Sequence, residues 1–291
     1  LPFAEHTRNA ESLAKLLRLG VPVLPSCSYG MEVLSKIDRF VAYREEDRTF
    51  CFASPKKALQ KATGTENENE AIAFSEYESM ELLKEAGVAI GPQAVVKSPE
   101  EALRAAEMLH YPLAVKIDSP DILHKSDVGG VKLNICSDAE LSEAYKAISE
   151  NVHRNCPDAQ INGILLKPML AAGIEVIVGV NNDDLFGPMI MIGLGGVFVE
   201  IFKDVKLSPV PVSHREATEM IRSLKGCKLL NGYRGGKIYD TEALADFIVH
   251  ISEYAFRYKD ELKELDINPL FVYEAGKGVA PADALIIKQG K

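Results

Sequence analysis

At 291 residues, 47% hydrophobic and 26% charged, the chain is long and apolar enough for two or three globular units with buried cores, which excludes a disordered chain. A formal charge of -9 and a pI near 5.3 argue against coating nucleic acid or an anionic membrane, because phosphate affinity rests on clustered Lys and Arg; an acidic enzyme with a local basic pocket fits. Five dispersed cysteines (Cys27, Cys51, Cys136, Cys156, Cys227) form neither a disulfide framework nor a zinc pattern, and no spanning apolar run or signal peptide is present, which predicts a soluble protein of the reducing cytoplasm.

The chain opens on Leu1 rather than Met, as expected of a piece of a longer polypeptide. Asn9 to Leu19 carries apolar residues at helical spacing and stops at Gly20. Val21 to Leu24 reads as a short strand, and Met31 to Val41 as a second amphipathic helix. Helix, strand and helix over 1–53 make part of a Rossmann-like (flavodoxin-like) α/β unit, too little sheet for a domain. Residues 54–70 turn polar and end in the acidic run 65–70, a solvated linker.

Beyond it, Ser75-x-x-Glu78, Ser98-x-x-Glu101, Ser137-x-x-Glu140 and Ser213-x-x-Glu216 each precede an apolar-periodic run, the signature of a capping box at a helix start. Pro99 strengthens the second. Apolar runs at 89–90, 113–115, 131–135, 164–166, 176–180, 189–192, 270–272 and 284–287 predict strands between these helices. The alternation, with strands dominating the middle, predicts an α+β design with mixed or antiparallel sheets.

Leu113-Ala114-Val115 and Ile117 read as a buried strand, and Lys116 within it needs an anionic partner, for which a bound phosphate would serve. After a polar turn, Gly129 and Gly130 allow close backbone approach, so their N–H groups can point at phosphate oxygens, in an order unlike the P-loop. Lys167-Pro168-Met169 ends the strand at 164–166. Met169 lies either against a planar ring, with adjacent backbone groups reading an adenine, or in the core. Glu175 is either a ribose acceptor or a solvated strand-end charge. Gly193 to Gly196 reads as a loop between strands, with or without a ligand role. In Leu265-Asp266-Ile267-Asn268 the alternation puts Asp266 and Asn268 on one face, and a return of the chain near Gly276-Lys277-Gly278 brings Asp283 opposite them. These hard oxygen ligands suit Mg²⁺.

Lys116, His124-Lys125-Ser126-Asp127-Val128-Gly129-Gly130-Val131, Phe186-Gly187-Pro188, Gly193 to Glu200, Leu230 to Gly235 and Asp266 to Leu270 together resemble the ATP-grasp part of ADP-forming acyl-CoA synthetases, relatives of succinyl-CoA synthetase. The resemblance runs from about Ala71 to Lys288, and residues 1–53 are similar to the end of the CoA-ligase region that precedes this module in fused enzymes. It implies an ATP-grasp fold of two α+β subdomains, 71–162 and 163–291, and a reversible relay. Acyl-CoA and phosphate give an acyl phosphate, a histidine takes the phosphoryl group, and the phosphohistidine passes it to ADP. The family's CoA-binding domain and first-phosphorylated histidine are absent from this sequence.

By the same resemblance His124 is a second phosphoryl carrier. Lys116, Ser126, Gly129, Gly130, Val131, Lys167, Met169 and Glu175 contact ATP or ADP, and Asn268 and Asp283, with Asp266 where relatives often carry Glu, hold Mg²⁺. Lys167-Pro168 departs from the family's usual Gln or Glu in the hinge. Glu200 and Arg234 stand in family motifs without an assigned role. The implied partners are the nucleotide and a CoA-binding domain or subunit, within an oligomeric enzyme. A regulatory ATP-grasp module of a fused protein acetyltransferase is the alternative, and a carboxylate–amine ligase a third reading; retention of His124, Lys116, Asn268 and Asp283 favours turnover.

Overall fold

The computed structural model describes residues 71–196 and 204–289, together with Lys15, Arg18, Met31 and residues 34–37. The chain divides into two units, 1–51 and 52–291. In the first, the described residues are all helical and fall within the two helices expected there. The strand expected at 21–24, the linker at 54–70, and Val197 to Lys203 with Glu200 lie outside the described residues.

From residue 71 on, four N-caps appear where the serines predict them. The first helix, α1 (Glu76–Glu85), follows strand β1 (Ile72–Ala73), and its cap Ser75 exchanges bonds reciprocally with Glu78. Strand β2 (Ala94–Val96) leads to α2 (Pro99–Leu109), strands β3 (Leu113–Asp118) and β4 (Val131–Ile135), and then α3 (Asp138–Asn155). Here Ser98 and Ser137 cap their helices, but Glu101 and Glu140 reach one residue further back, to the N–H groups of Lys97 and Cys136. Strands β5 (Gly163–Pro168), β6 (Ile174–Asp183), β7 (Gly187–Leu194) and β8 (Val205–Pro209) follow without an intervening helix. Helix α4 (His214–Ser223), with a full Ser213/Glu216 box, then α5 (Cys227–Leu230) and α6 (Thr241–Arg257), precede β9 (Leu262–Val272), β10 (Val279–Pro281) and β11 (Ala284–Lys288).

All observed pairings are antiparallel. Strands order as β2-β5-β3-β4 in a four-stranded sheet and as β1-β11-β9-β6-β7-β8 in a seven-stranded one, where β10 also pairs β9. Each sheet buries its own core. Helices α2 and α3 close the smaller one through Ala102, Ala106, Leu141 and Ile148, and α6 the larger one through Leu244, Ile248 and Ile251. Sheet membership does not follow chain order. The start of the segment, β1 with α1, belongs to the larger sheet because β1 pairs with the C-terminal β11, and β5 stays in the smaller one beside β3.

Ala89–Ile90 is not a strand: Gly87, at φ +90, ends α1, and Ile90 packs as irregular chain against the larger core. The Gly193 to Gly196 loop also begins later than expected. Gly193 and Leu194 complete β7, and the chain leaves the sheet at Gly195, where an added Cβ would lie 2.8 Å from that of Glu175. Among the described residues no helix is long and apolar enough to cross a membrane.

Candidate functional site

The site is built on a carboxylate that burial alone would forbid. The Ser75/Glu78 box fixes the first turn of α1 and turns Glu76 inward, its side chain 0% exposed. Taking an ionised carboxylate out of water costs several kcal/mol, roughly, unless it is paired. Three ammonium groups surround it. Lys116 Nζ donates to Glu76 Oε1 at 2.9 Å and Oε2 at 3.1 Å, Lys167 Nζ donates to Oε1 at 3.1 Å, and Lys125 Nζ lies 3.2 Å from Oε2. In the register of β3 with β5, Ala114 faces Lys167, so Lys116, two residues on, shares that face. The turn after β3 supplies Lys125.

Asp283, between β10 and β11, completes the cluster. Its carboxylate accepts from Lys116 at 3.1 Å and from Lys125 at 3.2 Å, and the preceding carbonyl of Ala282 accepts from Lys116 at 3.1 Å and Lys167 at 3.0 Å. Three ammoniums against two carboxylates leave one net positive charge. Burial pushes the Glu76 carboxyl up, but the ammoniums of Lys116, Lys167 and Lys125 outweigh it and hold it at about 2. Lys167 goes the other way, lowered by burial and by Lys116 despite Glu76. Asp283 is raised by burial and by the nearby Glu76 charge, against the pull of Lys116 and Lys125.

Glu76 carries a consequence for acid stability. Its folded value lies below that of an unfolded Glu, about 4.3, so its contribution is fully present above that pH and disappears as pH falls toward about 2. The chain is expected to lose stability across roughly pH 4 to 2. Urea unfolding at stepped pH should show this limb, flattened in Glu76→Gln.

Glu76, Lys125 and Asp283 line a cavity of about 310 Å³, together with His124, Asp266 and Asn268. Asp266 and Asn268 alternate with the buried Leu265 and Ile267 along β9, and the Asn268 N–H donates to the Asp283 carbonyl at 3.3 Å, so the three oxygen-bearing side chains meet at one rim as the sequence predicts. Burial, then the charges of Glu264 and Asp283, raise the Asp266 carboxyl to about 6. Crowded hard oxygens of this kind fit a divalent cation. Among the described residues, however, no three His, Cys, Asp or Glu side chains are close enough to hold a metal by themselves, and Asp283 is engaged by lysines. A cation held here would need the amide of Asn268 and phosphate or water oxygens besides the carboxylates. A second cavity of about 500 Å³, beside Tyr145, His153 and Cys156, holds none of the expected site residues.

Several expected contacts are arranged differently. The anion beside Lys116 is the chain's own Glu76 and Asp283. The N–H groups of Gly129 and Gly130 do not point outward as a phosphate cradle: they donate to Ser126 O at 3.1 Å and Lys125 O at 2.8 Å and close the turn. Gly130 is small because a Cβ there would come 2.7 Å from Ile117 Cγ2 and 2.9 Å from the Lys125 carbonyl, while Gly129 takes φ +68. Ser126 is exposed on this turn, and Val131 opens β4 opposite Lys116.

Lys167 leaves any hinge for the buried cluster, and the Met169 N–H is taken by the Pro112 carbonyl at 2.8 Å, leaving no donor there for a base. Glu175 is exposed at the start of β6, and its carbonyl accepts from the Gly195 N–H. Arg234, at φ 53, stands over the Tyr233 ring in an exposed turn outside the cavity lining. No sequence pattern assigns a role to Glu76 or to Lys125, which stands only within the His124–Val131 motif. Glu76 is masked by the adjacent capping pair, and Lys125 stands in a polar turn where a solvated lysine is ordinary.

A model of the ATP-grasp domain family matches residues 66–287. The chain is 44% identical over 218 residues to the beta subunit of an ADP-forming acetate–CoA ligase II from Pyrococcus furiosus, covering 75% of this chain and 92% of that relative. An ADP-forming acetate–CoA ligase from Methanocaldococcus jannaschii is 32% identical over 283 residues, 94% of this chain but 40% of its own length. Among solved structures, acetyl-coenzyme A synthetase 1 of Ca. Korarchaeum cryptofilum, in complex with coenzyme A and Mg-AMPPCP and with its phosphohistidine segment pointing towards the nucleotide-binding site, superposes with a TM-score of 0.63 at 35% identity, over 74% of this chain and 93% of that one.

Proposed function

The chain belongs to the ATP-grasp domain family, and from that premise we propose that it is the nucleotide-binding, phosphoryl-transferring part of an ADP-forming acyl-CoA synthetase. One observation carries the reading: Lys125, which with Lys116 and Lys167 pairs the buried Glu76, lines one cavity with His124 and with the oxygen donors of Asp266, Asn268 and Asp283. The likeness to acetate–CoA ligases makes acetyl-CoA the first substrate to try.

A phosphate oxygen displaces the CoA thiolate from acyl-CoA, giving an acyl phosphate. An imidazole nitrogen then attacks its phosphorus and releases the carboxylate, and the phosphoryl group passes by way of His124 to the β-phosphate of ADP. In this chain the lysines neutralise the charge of the phosphate chain, and the closed Ser126–Gly130 turn holds His124 and Lys125 side by side at the cavity. Asn268 and Asp283, with Asp266, would hold Mg²⁺, which when bound screens the phosphate charge and aligns it for in-line transfer. Ser126, Val131 and Glu175 would meet the nucleotide as the family resemblance implies. The two carboxylic steps and CoA binding belong to a CoA-binding domain or subunit, assembled with this chain in an oligomer.

The test combines the chain with a CoA-binding subunit of an acetate–CoA ligase and supplies acetyl-CoA, ADP, phosphate and Mg²⁺. ATP formation that needs both proteins is expected. Binding of Mg-ATP by calorimetry with no ATP formed under any pairing would overturn phosphoryl transfer and leave a nucleotide sensor.

A further inference from the structure

Two carboxylates share the three lysines, and they are not equivalent. Asp283 has a side chain 28% exposed and pairs with Lys116 and Lys125, whereas Glu76, 0% exposed, accepts from or pairs with all three lysines. Nothing in turnover would require a fully buried carboxylate at this depth, and a well-packed apolar cluster in place of the carboxylate and its lysines together would usually be no less stable. Its surroundings keep it in place from two sides. The Ser75/Glu78 box fixes the helix start, and the next N–H, that of Tyr77, donates at 3.0 Å to Asp118 Oδ1 at the end of the strand that carries Lys116. Asp118 is itself held by Asn162 Nδ2 at 3.1 Å. The helix of the larger sheet is thereby tied to the smaller sheet at the point where Lys116 and Lys167 emerge.

We propose that Glu76 is a positioning residue for polyphosphate: it gathers the ammonium groups of Lys116, Lys125 and Lys167 into one array at the wall of the cavity that Glu76 and Lys125 line, so that a phosphate chain entering there meets them already placed. The inference rests on the nucleotide reading above. Without Glu76, the three ammoniums are left with one carboxylate, that of Asp283, and repel one another apart. A phosphate chain would then lose contacts that a nucleoside never made.

Calorimetry of the 291-residue chain with ATP, adenosine and inorganic tripolyphosphate decides it. Glu76→Gln is expected to weaken ATP and tripolyphosphate roughly tenfold or more, to leave adenosine within about twofold, and to be partly rescued in Glu76→Asp. If Glu76→Gln, shown folded by circular dichroism, binds tripolyphosphate like the parent, or loses adenosine in equal measure, the positioning role is wrong. If Glu76→Gln does not fold, Glu76→Asp carries the test alone, since the shorter carboxylate should cost tripolyphosphate more than adenosine. Should the parent chain bind neither ATP nor tripolyphosphate, it is the nucleotide reading that fails.

Discussion

Replacing Lys116 by methionine is expected to weaken ATP binding by roughly a hundredfold, the largest loss of affinity among single changes at this site. Lys116 touches more of the cluster than either other lysine, donating to both oxygens of Glu76, to the Ala282 carbonyl and to Asp283. Burial pushes its ammonium toward neutrality, but Glu76 and Asp283 more than offset that and raise it above the ordinary lysine value, so it is charged throughout the working range. Methionine keeps most of the aliphatic stem packed in an otherwise apolar strand and removes only the charged end. The change also leaves Glu76 short of its closest partner, and breaking a buried pair costs on the order of 3–5 kcal/mol of stability. Urea unfolding reports that loss, and calorimetry with ATP and adenosine separates it from binding. Equal weakening of both ligands, or unchanged ATP affinity in a destabilised chain, would mean that Lys116 only holds the two sheets together.

What the sequence could disclose followed the range of each signal. Capping serines, the period-two alternation of Asp266 and Asn268, and the return of Asp283 beside them are local patterns, and all appear in the structure. A lysine inside an apolar strand declared that an anion must stand beside it, but the anion lies 40 residues earlier, on a helix of the other sheet. No spacing rule connects Glu76 to Lys116, because the contact exists only after two sheets meet. Gly129 and Gly130 are legible as a tight turn but the partners of their N–H groups are not, since the same freedom that admits a phosphate admits the Lys125 carbonyl and the Ile117 side chain. Lys167 shows the same limit. Its place after a strand resembles a hinge, while its register against Ala114 puts it on the face of Lys116.

The second large effect is chemical rather than electrostatic. His124→Ala is expected to lower phosphoryl labelling of the chain from γ-labelled Mg-ATP by a factor on the order of 10³ or more while changing ATP affinity by less than about threefold. The split follows from placement. His124 lines the cavity but contributes no contact to the ammonium cluster, whereas Lys125, its neighbour in the same turn, reaches both Glu76 and Asp283. The carbonyl of His124 accepts the Asp127 N–H at 3.2 Å, a backbone bond that alanine retains, so the turn and Lys125 should stay in place. What disappears is the imidazole nitrogen whose lone pair would attack phosphorus as the ADP oxygen departs, with the charge that develops on that oxygen met by ammoniums already in position. Label on the parent chain should be labile to acid and stable to alkali. Label that persists in His124→Ala with the same lability would move the carrier to another histidine, and Lys125→Met would then distinguish the two accounts, because it should slow transfer to any carrier that depends on this phosphate site.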